Sequence, residues 1–226
     1  MDLSYLVNQI KAPQSGLKLR QGTVITVNAD RTMDVQIAGD GYTLPSVRYL
    51  SNYAPKPNDQ VWLLNDGADL LGIGMVAAAG RTLSPKAYRT SLQSITAATE
   101  TTVTFQAVEN DDWNCWDASP NPTRLTAPVT GRYMAQAQLK WGDGASGVRR
   151  VSIEKNGIQE IAYADAQKAT GHGAHTSVVS PPFTLTKGDY IETIAYSEVN
   201  LDLVVTADGD DYTGWFPSMS LIYLGS

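Results

Sequence analysis

The chain lacks most of the features that mark an enzyme, an exported protein or a nucleic-acid binder. It has one cysteine, Cys115, so no intrachain disulfide framework can form. With the two histidines, His172 and His175, far along the chain, Cys115 reads as a small half-buried apolar residue and not as a nucleophile. Charged residues make up 18% of the 226 positions and the formal charge is −6, against a usual charged share of ~25%. A net negative charge argues against a protein that tracks phosphates, which would carry a basic patch. It is also too small to imply a cationic partner. No apolar run approaches the ~18 residues of a membrane span, so membrane insertion is not expected. Met1-Asp-Leu-Ser has neither the basic opening nor the apolar core of a secretory leader, so we expect assembly in a cytoplasm with no export route of its own. No internal repeat is present.

What the chain does have is turns: 19 Gly and 11 Pro, spread among short β-branched runs. Residues 1–13 read as a short helix closed by Pro13, with Leu3, Leu6, Val7 and Ile10 on one face. A helix this short needs a partner, so a docking or oligomerising role is expected. Residues 14–78 read as a compact β unit. Gly22–Val27 is β-branched, Met33, Val35 and Ile37 alternate with polar neighbours, and Gln60–Leu64 and Leu70–Val76 flank an Asp66-Gly67 turn. About five short strands in ~60 residues suit a small barrel of the oligonucleotide/oligosaccharide-binding (OB) type. Its aromatics, Tyr42, Tyr49, Tyr53 and Trp62, are not interleaved with basic residues, so an adaptor is expected and not a nucleic-acid site. Residues 79–87, inside a run of small residues from 77 to 90, read as a linker.

Residues 88–226 carry strand patterns with turns every 8–12 residues, the signature of a sandwich. In the longest strand Tyr133, Ala135, Ala137, Leu139 and Trp141 alternate with Arg132, Met134, Gln136, Gln138 and Lys140. A period of two assigns the sets to opposite faces. Pro128 and Thr130-Gly131 stop and restart the chain just before it. Thr101–Ala107 reads as another strand, and Asn156-Gly157 is a strong hairpin signal.

The wording of these segments resembles two known families. Leu125-Thr-Ala-Pro-Val-Thr-Gly-Arg-Tyr133 is similar to the "FTAP-x-x-G-x-Y" entry to a central strand in the complement C-one-q/tumour necrosis factor-like jelly roll. Ile153-Glu-Lys-Asn-Gly157 is similar to that family's "I-x-K-N-G" hairpin. Leu185 to Ile191 resembles its "L-x-x-G-D-x-I" turn, and Trp116-Asp117 stands where it has "YD". Met219, Leu221 and Tyr223 resemble the closing strand, although Gly214-Trp215-Phe216 comes slightly early. In the N-terminal part, Gly22-Thr23-Val24, the Pro55–Val61 run and Leu70–Gly74 resemble barrel modules of phage tail proteins. The expected fold is therefore all-β: a short helix, a small OB-like β-barrel, then an antiparallel jelly-roll sandwich. Tyr133, Leu139, Trp141, Leu221 and Tyr223 are its expected structural and trimer core.

The jelly-roll resemblance implies a homotrimer that displays loops outward. Together the two resemblances imply a virion protein at the tail or tail tip of a tailed phage. Its barrel would contact other phage tail proteins and its head a host surface glycan or cell-wall polymer. The expected contact loops are Gly142–Gly147, Lys168–His175 and Ala207–Tyr212, with Asp143, Lys168, His172, His175, Asp208, Asp210, Asp211 and Tyr212 as binding residues. The alternative is a purely architectural tail or baseplate component; a third reading is a wall-polysaccharide hydrolase. His172-Gly-Ala-His175 lacks a third or fourth ligand at a supporting spacing, so no metal is expected. Asp208-Gly-Asp-Asp211 has enough oxygen charge for a weak calcium site but not the longer pattern of a calcium loop. The jelly-roll resemblance keeps calcium as a weak alternative to no cofactor. No phosphate loop, serine elbow or nucleophile–base set is present, so no enzyme is expected.

Overall fold

A computed structural model describes residues 18–65, 70–75, 83–169, 174–205 and 216–225. The helix expected over 1–13 lies outside these residues. The chain divides into two compact units, Met1–Arg81 with the last two residues and Thr82–Leu224. Every element described is a strand.

The first unit is a closed five-stranded barrel. Its strands are β1 (Lys18–Val27), β2 (Thr32–Ile37), β3 (Thr43–Tyr49), β4 (Gln60–Asn65) and β5 (Leu70–Met75), in the order β1-β2-β3-β5-β4. All pairs are antiparallel except β3 with β5. The alternation read from Met33, Val35 and Ile37 places these side chains inside with Val24, Val47, Val61 and Leu63. So narrow an interior needs a glycine at Gly22, where a Cβ would run into Val35 and the Gln36 carbonyl oxygen. Bulges between Val24 and Thr26 and between Met33 and Val35 bend the strands into closure. The Pro55–Val61 run is tied down by buried Asp59, which accepts from the Tyr53 hydroxyl at 2.8 Å and the Lys56 N–H at 3.0 Å.

The second unit is a sandwich of two antiparallel sheets. Its strands are β6 (Lys86–Tyr88), β7 (Gln93–Ile95), β8 (Thr101–Thr102), β9 (Ala107–Glu109), β10 (Arg124–Thr126), β11 (Gly131–Trp141), β12 (Gly147–Lys155), β13 (Gln159–Lys168), β14 (Ala174–Val179), β15 (Phe183–Leu185), β16 (Tyr190–Ser197), β17 (Leu201–Leu203) and β18 (Ser218–Gly225). One sheet runs β10-β16-β12-β13 with β8 beside β16. The other runs β7-β17-β11-β18-β6-β9 with β14 and β15 beside β11. The chain changes sheet at β7/β8, β8/β9, β9/β10, β10/β11, β11/β12, β13/β14, β15/β16 and β16/β17, which gives the double-sheet jelly-roll arrangement.

Two expectations change. Lys86 and Ala87 lie within the stretch read as linker, yet with Tyr88 they form β6, which pairs with β18. Alanine at its centre lets the strand lie flat on the core, with Ala87 fully buried. Thr101–Ala107 is not one strand: the chain leaves the ladder after Thr102 so that Val103 and Phe105 can enter the interior.

Tyr133, Leu139, Trp141 and Leu221 are at most 1% exposed within a single chain. Tyr133 donates to the Val129 carbonyl at 2.6 Å and meets the Tyr223 ring at 5.2 Å, while Trp141 Nε1 donates to Thr176 Oγ1 at 2.9 Å. These side chains fill the space between the sheets, so a face offered to other copies must be built from the opposite set.

Candidate functional site

The β11–β12 loop leaves the sandwich at one end, beside β17, where β13 closes and β14 opens. Trp141, the last residue of β11, pairs with Ala174 and with Leu203, and Gly147 at the start of β12 pairs with Lys168. The Gly142 N–H donates to the Asp202 carbonyl and the Val204 N–H to the Lys140 carbonyl, both at 2.9 Å. Of the expected binding residues, Asp143 is exposed in the β11–β12 loop, Lys168 closes β13, and His175 is exposed on β14 directly opposite Lys140. Burial, reinforced by the charges of Lys140 and Lys168, holds the His175 imidazole below its ordinary value, so it is neutral at neutral pH. His172, Asp208, Asp210, Asp211 and Tyr212 lie outside the described residues.

Two charged side chains not singled out from sequence hold the base of the β11–β12 loop. Arg149 is fully buried, and its guanidinium donates to the Gly147 and Ala145 carbonyls, each at 3.2 Å. Glu198 grips the same turn: its Oε2 accepts the Val148 N–H at 2.8 Å and its own N–H donates to the Val148 carbonyl at 3.1 Å. Gly144 packs so closely on Leu201 that a Cβ there would overlap the leucine Cδ2. The available sequence signal was parity. Arg149 shares the inward face of β12 with Val151 and Ile153, where a cation is out of place.

The two outer faces of the head differ. On the sheet containing β12 and β13, Arg150 forms a two-point ion pair with Asp165 at 2.7 and 3.2 Å and lies 4.9 Å from the Tyr163 ring centroid. Arg124 pairs with Glu192 at 3.2 Å and lies over Tyr190 at 3.9 Å. On the other sheet, alternation turns Met134, Gln136 and Gln138 of β11, Ser177 and Val179 of β14, and Ser220, Ile222 and Leu224 of β18 outward. Along β11 the charges stand only at the ends, on Arg132 and Lys140. Val179 and Leu224 are 53% and 50% exposed. A shallow depression near the loop-bearing end of this face is lined by Gln138, Lys140, His175, Ser177 and Phe216.

Among the described residues, no three His, Cys, Asp or Glu side chains are gathered closely enough to hold a metal ion. Burial, with the nearby Asp111 carboxylate, pushes the Cys115 thiol far up, so it stays protonated and inert.

No protein-family model matches the chain, and no curated protein matches it in sequence. Among solved structures, it is similar to an Eiger TNF from S. frugiperda at 10% identity, over 64% of this chain and 94% of that one, with a TM-score of 0.42. It is also similar to murine APRIL, solved at pH 5.0, at 15% identity over 62% and 98% of the two chains, with a TM-score of 0.43.

Proposed function

We propose that this chain is a homotrimeric structural protein of a tailed phage, anchored by its barrel and contacting the host cell surface through the loop-bearing end of its head. The virion assignment comes from the sequence resemblance of residues 14–78 to tail barrel modules. The closed order β1-β2-β3-β5-β4, sealed by the parallel β3–β5 pair, supports an OB-type module there.

The observation that carries the trimer is the contrast between the head's two outer faces. One is laced with ion pairs suited to water. The other keeps its charges at the margins, on Arg132 and Lys140 at the ends of β11 and in the Lys86–Glu109 pair of β6 and β9, and offers amide, hydroxyl and apolar side chains between them, the composition expected of an interface core. Packing three copies through that second face leaves the loop-bearing ends together and exposed. Three identical weak sites on one rigid head bind a repeating polymer far more tightly than one. The work of the head is binding and not catalysis, and the ligand class is a surface glycan or wall polymer.

Light scattering on the full chain tests the trimer first. A mass near three times 24.4 kDa is expected, and a chain that stays monomeric when concentrated removes the trimer and the multivalent reading with it. The labelled chain applied to an array of bacterial surface polysaccharides and wall polymers then separates host contact from the purely architectural role, in which no polymer retains it.

A further inference from the structure

Two arginines are buried in the head, and the fold treats them differently. Arg89, 2% exposed, is surrounded by acceptors. Its Nε donates to the Ser91 carbonyl at 3.1 Å, and its Nη2 donates to the Ser91 and Leu92 carbonyls, both at 2.8 Å. Its Nη1 donates to Gln93 Oε1 at 2.6 Å and to the Thr104 carbonyl. That is a cation held by structure alone. Among the described residues, Arg149, 0% exposed, has only the two 3.2 Å bonds to the loop carbonyls, and its Nε is a buried donor with no acceptor. No carboxylate among the described residues lies within ion-pair distance of it. A buried guanidinium so sparsely satisfied destabilises the sandwich relative to an apolar side chain of similar volume. Departures from local rules of this kind collect where a protein's function requires them.

What the cation does is visible in its two acceptors. Ala145 lies in the turn between β11 and β12 and Gly147 ends it as the first residue of β12, and the turn's Asp143, Ala145 and Ser146 are exposed. The guanidinium fork reaches that turn from inside while the Glu198 carboxylate takes the adjoining Val148 N–H. The segment is thus held by charge-assisted bonds of opposite sign at its carbonyls and at its amide.

We infer that Arg149 is the positioning residue of the Gly142–Gly147 loop, fixing from within the sandwich the conformation that this loop presents at the end of the head. Resting on the surface-binding reading above, this makes the loop a preorganised contact whose ordering is completed before the ligand arrives. The stability lost to an unmatched buried cation is retained for the sake of that order.

The test uses the full-length chain and two variants, Arg149→Met, which removes the charge and the fork, and Arg149→Lys, which keeps the charge but not the fork. Amide hydrogen exchange at Gly142 and Val148, whose N–H groups are bonded at the two ends of the loop, is expected to quicken at least tenfold in Arg149→Met and by less in Arg149→Lys. The unfolding midpoint of the methionine variant should be unchanged or raised. On the surface polymer that retains the wild type, Arg149→Met should dissociate about tenfold faster. Unchanged loop exchange in Arg149→Met would overturn the inference. So would a lowered midpoint with loop exchange and dissociation both unchanged, which would make Arg149 an ordinary core residue. Faster exchange without faster dissociation would overturn the binding role of the loop. A wild type retained by no polymer would instead defeat the surface-binding reading, while the exchange rates still decide the bracing.

Discussion

Glu154 stands directly opposite Glu192 across the β12–β16 ladder, and on its other side it faces Glu160 of β13. Among the described residues, Glu192 is the one of the three with a cation within ion-pair distance, Arg124 at 3.2 Å. Like charges directly opposite in a ladder destabilise it. Burial, and then the charges of Glu100, Glu160 and Glu192, raise the Glu154 carboxyl above its ordinary range. The folded head therefore holds this proton more tightly than the unfolded chain does. That stabilisation is present at low pH and is lost as pH rises through the raised value. Replacing Glu154 by Gln should stabilise the head at neutral pH by about 0.5 kcal/mol. The gain should fade on acidification to the ordinary glutamate range. Denaturant titrations at the two pH values check it, and an equal effect at both would show that the charges are not its source.

Asp189 has the opposite sign. Burial pushes its carboxyl up, but the Asn156 amide at 3.0 Å, the Thr186 N–H at 2.8 Å and Lys155 at 3.1 Å outweigh that and leave it lowered. Its contribution is complete above the ordinary aspartate value and disappears as pH falls through the lowered one. Asp189→Ala should cost about 2 kcal/mol at neutral pH. At a pH below the lowered value the difference from wild type should shrink, and a constant difference would point to lost packing instead of lost charge.

The barrel offers a steric prediction. Gly22→Ala places a methyl against Val35, the Gln36 carbonyl oxygen and Leu63, two of which belong to the closed interior. Overpacking of this kind costs about 1–3 kcal/mol. Hydrogen exchange should speed up across residues 18–75 and remain as it was in residues 83–225. A variant as stable as the wild type would mean that the barrel interior has more room than its side chains leave.

The segments legible in the sequence are those in which local turn chemistry and long-range structure coincide. Thr126–Gly131, Lys155–Gly157 and Lys187–Asp189 each carry their own turn signal, and in the fold they meet at one end of the head. Asn156 bonds to both Asp189 and Tyr190, the Gly188 N–H donates to Ala127, and the Lys187 N–H to Thr130. Those turns serve architecture, and they mark the end opposite the candidate contact loops. The brace on the other end gave no comparable signal. Arg149 and Glu198 are ordinary charged residues in sequence, and their shared turn is defined only once β12 and β16 are paired. Lys86–Tyr88 was hidden for a similar reason, since three residues become a strand only through the partners that β18 and β9 supply. The division of outer faces was half legible: parity along β11 separates Tyr133 from Met134, but which set meets water depends on the second sheet.

That division leads to the prediction on which the assembly depends. Met134 and Ile222 face outward from neighbouring strands on the sheet whose outer charges stand at the ends of β11 and in its edge strands, whereas Tyr163 lies on the ion-paired face. If three copies pack through the middle of that face, an aspartate at either position places three desolvated carboxylates near the axis, while the cations of β11 stand only at its ends, on Arg132 and Lys140. Breaking an interface with buried, unpaired charges costs several kcal/mol, at least about 3 by the measure of broken buried pairs. Met134→Asp and Ile222→Asp should therefore each yield a folded monomer by light scattering at concentrations where the wild type is trimeric. Tyr163→Asp should leave the mass unchanged, because its ring is 55% exposed and the face around it is already charged. Far-ultraviolet circular dichroism matching the wild type would show that the monomers are folded. A trimer that survives both aspartates, or one lost with Tyr163→Asp, would place the interface on the other sheet and change which loops the assembled heads present together.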